Sequence, residues 1–229
     1  MRNGNRLNLG MYVQAFPLLF RHLSIVTAPL LAAVVAVLLG QLSHLTTDAL
    51  GGLGSGLYIF IEQVITLMAF GVAIIQADNI WNGRDGSFDA AWHDARGKLG
   101  GMALAAVGFT FFLSLTIQLG TYIGLGAALL LLLVVAFLLI YTMPAAALGG
   151  HPAGFAISAS YRAAIKNIGP TVVLAIAYEA VTKIPPALFT NQLYDHMPDV
   201  VAQLVLALIN ALVLTYIAFA FAKQYQEVA

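Results

Sequence analysis

The chain has 229 residues, of which 61% are hydrophobic and 9% charged, against roughly 25% charged in an ordinary soluble domain. Ten basic and ten acidic residues cancel to a formal charge of zero, which removes the electrostatic footprint of a nucleic-acid binder. Cysteine is absent, so disulfides, thiolate catalysis and cysteine-based zinc or iron–sulfur sites are excluded.

The chain opens with Met1, Arg2, Asn3, Gly4, Asn5 and Arg6 and a mixed stretch through His22. It lacks a small-residue cleavage site after a short apolar run, so the first apolar span reads as retained rather than as a cleaved signal. Six segments are apolar for about the 20 residues that a helix needs to cross roughly 30 Å of hydrocarbon: 23–42, 56–77, 99–120, 123–143, 168–189 and 200–222. Backbone in lipid must satisfy its own hydrogen bonds, so each span is expected to be a helix. The alternating ten-residue segments of an outer-membrane barrel are absent. The expected fold class is all-α, a polytopic membrane protein forming a single membrane-embedded domain over 1–229.

Basic residues fix the expected orientation, because inserting chains retain them on the cytoplasmic side. Arg2, Arg6 and Arg21 precede span one, Arg84, Arg96 and Lys98 separate spans two and three, Arg162 and Lys166 separate four and five, and Lys223 follows six. The connections over 43–55, 121–122 and 190–199 carry no Lys or Arg. Both termini are therefore expected in the cytoplasm and the protein in a bacterial-type inner membrane.

A short segment with helical apolar spacing precedes each pair of spans, at about 9–22, 87–98 and 152–167. Tyr12, Phe16, Leu19 and Leu23 form the first stripe; Phe88, Ala91, Trp92, Ala95 and Leu99 the second; Ile157, Tyr161, Ala164, Ile165 and Ile168 the third. Ser87 is placed to cap the second helix, with Asp89 in its first turn, and Pro152 begins the third. Such helices lie in the interface with the charged face in water. The expected unit is one interfacial helix followed by a transmembrane hairpin, repeated three times.

Met143-Pro144-Ala145-Ala146-Ala147, followed by Phe155-Ala156-Ile157-Ser158-Ala159-Ser160-Tyr161-Arg162 and Asn167, joins a proline-containing helix end to a small-residue amphipathic helix. In this the chain resembles the YciC-like bacterial inner-membrane proteins and the membrane domain associated with some glycerophosphodiester phosphodiesterases. The resemblance implies the architecture and no defined activity, and no hydrolase domain is expected within these residues.

Ionisable residues near the bilayer centre cost at least about 2.5–3.5 kcal/mol, so each is a functional candidate. Glu62, Glu179 and Lys183 qualify. Glu179 and Lys183 share a face of span five in the favourable order, and Glu62 is expected at the depth of Lys183, so the three outline a proton relay or cation site. The competing reading is a buried ion pair that fixes the packing of spans two and five, with Lys183 snorkelling outward. Pro185-Pro186 is expected to kink or end span five, and Pro29 and Pro144 to bend spans one and four. Gln118 and Asn210 read as interhelical hydrogen-bond partners.

The remaining motifs are weak. Asp89 and His93 are spaced to share a metal but lack further ligands in register. Gly51-Gly52-Leu53-Gly54-Ser55-Gly56 lacks the lysine of a phosphate loop and reads as a flexible turn. Gly120 and Gly124 have dimer-motif spacing but flank the turn between spans three and four, where packing of that type is not expected. No catalytic residue, cofactor or metal site is assigned. The leading expectation is a non-enzymatic structural or accessory component that contacts membrane lipid, a membrane partner or a second copy of itself. The alternatives are a small transporter or channel using Glu62, Glu179 and Lys183, and a lipid-modifying enzyme built on Asp89 and His93.

Overall fold

In a computed structural model, residues 8–50 and 52–229 are described, excepting the side chains of 41–50, 52–55, 121, 125 and 153. Arg2, Arg6 and Gly51 lie outside the described residues. Every regular element among those described is helical: α1 (Gly10–Arg21), a 3-10 turn (Leu23–Val26), α2 (Thr27–Leu50), α3 (Gly52–Trp81), α4 (Phe88–Arg96), α5 (Leu99–Ile123), α6 (Leu125–Leu139), α7 (Thr142–Ala147), α8 (Ala153–Lys166), α9 (Ile168–His196) and α10 (Asp199–Val228). Among the described residues, six stretches are long and apolar enough to cross a membrane: Leu23–Gly40, Gly56–Trp81, Leu99–Gly120, Gly126–Ala147, Ile168–His196 and Asp199–Val228.

The long helices outrun their expected ends. The connection anticipated over 43–55 is helical on both sides of Gly51, and the one over 190–199 shrinks to Met197 and Pro198. Once a helix is under way each added residue gains a hydrogen bond, so polar residues such as Asn191 and Gln192 extend α9 rather than end it. The turn expected at Thr121 and Tyr122 falls instead on Gly124, whose φ of 87° and ψ of 154° lie in a region essentially reserved for glycine. Close packing does operate beside that turn, because a Cβ on Gly120 would lie 2.5 Å from the Ala128 Cβ across the α5–α6 contact.

Pro185 and Pro186 do not end α9, which continues to His196. Thr182 and Thr190 hydroxyls donate to the carbonyls of Tyr178 and Pro186, both at 2.7 Å, and supply side-chain donors around the proline pair. Pro29 sits in the first turn of α2, where the backbone changes from 3-10 to α. Pro144 does break its span. It cannot donate to the carbonyl four residues earlier, and the helix opens at Ile140 and Tyr141. The Ser160 hydroxyl of α8 fills the gap, accepting from the Tyr141 N–H at 3.0 Å and donating to the Leu138 carbonyl at 2.8 Å.

The core lies toward the end of the molecule where α1, α4 and α8 pack. Residues 70–77 of α3, 141–147 at and within α7, and 217–222 of α10 are buried at every position. The many alanines let backbones approach closely there. Phe70 and Tyr178 each meet Phe221 edge-on, with centroids 5.2 and 5.9 Å apart. Trp81 donates to the Phe219 carbonyl at 2.9 Å.

The short helices bury narrower stripes than the apolar patterns implied. Helix α1 buries Met11, Ala15 and Leu19 and leaves Phe16 and Phe20 exposed, and α4 buries Ala91 and Ala95. Helix α8 buries Ala156, Ser160, Ala163 and Ala164, whereas Tyr161, Ile165 and Ile168 remain exposed. Small residues allow close approach to the bundle, so the bulky ones point outward. Ser87 caps α4 as expected, accepting from the Ala90 N–H at 3.2 Å.

Candidate functional site

Helices α2, α3, α9 and α10 line an open cavity of about 610 Å³, within the range of roughly 300–1,000 Å³ typical of small-molecule sites. Its walls follow from helical spacing. Tyr58, Glu62 and Thr66 recur every fourth residue and so share one face of α3. Pro29, Ala33, Ala36 and Gly40 of α2 supply a small-residue wall opposite polar groups. Helix α9 contributes Tyr178, Thr182, Lys183 and Tyr194, and α10 contributes Gln203 and Asn210 among apolar neighbours.

Glu62 and Lys183 face this one cavity. Thr66 and Tyr178 line both this cavity and a smaller neighbouring one. The two charges do not pair. Ion pairs among the described residues are Arg84 with Asp78, and His93 with Asp94 at 4.0 Å. The Tyr58 hydroxyl lies beside Glu62 and donates to the Ala36 carbonyl at 3.2 Å. Gly40 leaves it room, since a Cβ there would lie 3.1 Å from that oxygen.

Glu179 departs from the expected triad. It lines a separate cavity of about 130 Å³ with Phe70, Phe109, Phe137, Met143 and Phe221 among its walls. Although Glu179 and Lys183 are one turn apart on α9, Lys183 faces the larger space and forms no ion pair with it. Asn210 lines the larger cavity rather than only bridging helices, and Gln118 sits exposed near the end of α5, lining neither. Asp89 and His93 are exposed on α4, and no cluster of three His, Asp or Glu suited to a metal occurs among the described residues.

A second polar assembly, absent from the sequence reading, closes the opposite half of the bundle. Buried Gln224 donates to the Tyr141 hydroxyl at 2.9 Å, and that hydroxyl contacts Thr171 Oγ1 at 3.1 Å. Thr171 donates to the Asn167 carbonyl at 2.7 Å, and Asn167 Nδ2 to the Val228 carbonyl at 3.3 Å. Tyr12 donates to Gln224 at 3.5 Å, and burial beside Tyr141 and Tyr216 pushes its hydroxyl above the usual tyrosine range. These groups are mutually satisfied and offer no open site. Chemistry concentrates where charge is left unpaired, in the larger cavity.

No family model matches the chain, and neither a curated protein nor a solved structure matches it. The described residues form an all-helical protein with six helices long and apolar enough to cross a membrane, and between four of them lies a space lined by an acid, a base and several hydroxyls and amides.

Proposed function

We propose that this chain is a multi-pass protein of a bacterial-type inner membrane, with both termini cytoplasmic, that binds a small polar solute between its helices and passes it across the bilayer. The reading rests on one observation: Glu62 and Lys183 line a common cavity of about 610 Å³ without pairing to each other. Placing charges among apolar helices is costly, and a packing role would bring the opposite charges into contact. Facing charges held apart leave room for a ligand.

In this reading the chain consists of three hairpins, each preceded by an interfacial helix, in the manner of the YciC-like proteins it resembles. The accessory role remains the second reading, and the exposed Phe16, Phe20 and Phe155 of α1 and α8 favour it, since such a collar suits lipid or a membrane partner. The chain is proposed not to be an enzyme.

Solute-driven swelling of proteoliposomes tests the first reading. Wild type is expected to admit small polar solutes, and the cavity-filling variants Ala33→Phe and Ala36→Phe to swell no faster than protein-free liposomes. Equal swelling with and without wild-type protein, or full swelling of the filled variants, would exclude passage through this cavity.

A further inference from the structure

We infer that the cavity between α2, α3, α9 and α10 recognises a small zwitterion, with an ammonium group directed at Glu62 and a carboxylate or phosphate at Lys183; this rests on the solute-binding reading. The two charged residues stand on different walls, α3 and α9, and open to the same space. A singly charged cation attracted by Glu62 would meet Lys183, and an anion attracted by Lys183 would meet Glu62. Such like-charge encounters are unfavourable. A dipolar ligand satisfies both groups at once and brings no net charge among apolar helices.

The remaining lining fits such a molecule. Thr182 and Asn210 offer neutral hydrogen-bonding groups, and the small side of α2, from Pro29 to Gly40, leaves space for a short aliphatic body. Glu179 contributes nothing here, because it lines the separate, largely apolar cavity. Two sources carry this chemistry: a free amino acid and the headgroup of phosphatidylethanolamine.

Calorimetric titration of the full chain in phosphatidylglycerol nanodiscs tests the inference, with γ-aminobutyrate and L-alanine as zwitterions and butyrate and butylamine as singly charged controls. Saturable binding of a zwitterion in preference to both controls is expected. Charge-assisted hydrogen bonds make Glu62→Gln and Lys183→Met each weaken that binding by about tenfold to a hundredfold. The exchanged pair Glu62→Lys with Lys183→Glu is expected to recover a large part of it, which a merely misfolded site would not do.

If free amino acids fail to bind, but phosphatidylethanolamine nanodiscs raise the unfolding temperature in a way that both single variants abolish, the headgroup is the source and the zwitterion assignment holds. Butyrate or butylamine binding as tightly as γ-aminobutyrate would overturn it, as would zwitterion binding unchanged in both variants, or no response to either source. Swelling that ignores solute charge, with the filled variants still blocked, would remove the zwitterion while leaving the solute-passing reading standing.

Discussion

Ser160→Ala removes one buried hydroxyl that serves two backbone groups at the break in span four. Pro144 leaves the preceding turn unable to close, and Ser160 accepts from the Tyr141 N–H at 3.0 Å while donating to the Leu138 carbonyl at 2.8 Å. Alanine would leave both without a partner, at about 1–3 kcal/mol each, so the ceiling is about 6 kcal/mol. Relaxation around Tyr141 recovers part of that, and interhelical polar contacts in membrane proteins average only about 0.6 kcal/mol. A loss of about 2 kcal/mol is therefore expected. Unfolding in sodium dodecyl sulfate, followed by the fluorescence of Trp81 packed against Phe219, measures it. Ser158→Ala is the control, since its hydroxyl bonds only to Phe155 on its own helix at 3.0 Å, and it should fall within about 0.5 kcal/mol of wild type. If Ser160→Ala behaves like the control, the hydroxyl does not stitch the break.

Three other outcomes follow from the packing. Gly120→Ala should destabilise by about 1–3 kcal/mol through overpacking, and Ala128→Gly in the same chain should restore stability because it removes the atom that the new Cβ meets at 2.5 Å; the same unfolding titration reads both. Glu179→Gln should leave solute passage unchanged, whereas Glu62→Gln should abolish it, because only Glu62 of the two acids lines the larger cavity. Burial raises the Tyr12 hydroxyl above its ordinary value, so the folded state holds that proton more tightly than the unfolded chain. Stability is then complete below about pH 10 and declines as pH rises toward the folded value; Tyr12→Phe should flatten that alkaline limb in a pH series of unfolding midpoints.

Span number and helix type were readable because hydrocarbon demands about 20 apolar residues and internal hydrogen bonding, and the helix cap at Ser87 because its chemistry is local. Helix rotation was not readable. A span apolar on every face, such as α6, gives no signal for which side meets its neighbours, so the separation of Glu179 from Lys183 could not be deduced from their four-residue spacing. The polar face of α3 was nevertheless visible in the fourfold recurrence of Tyr58, Glu62 and Thr66, and the opposing small face of α2 in Pro29, Ala33, Ala36 and Gly40. The Tyr141–Thr171–Gln224 assembly leaves no sequence signal because it joins the residue before α7 to residues of α9 and α10 that lie near span ends, where polar side chains ordinarily reach water.

Whether the space around Glu62 and Lys183 is wet decides the account most directly. The chain contains no cysteine, so single cysteines can be introduced without background and probed in membrane vesicles with a hydrophilic maleimide, which reacts only where water supports the thiolate. Thr182→Cys and Asn210→Cys line the cavity and are predicted to be modified, and to be protected when Ala33→Phe fills it. Ile176→Cys, 64% exposed on the outer side of α9, is predicted to stay unmodified in lipid. Cavity positions as inert as Ile176→Cys would contradict a solute site between these helices.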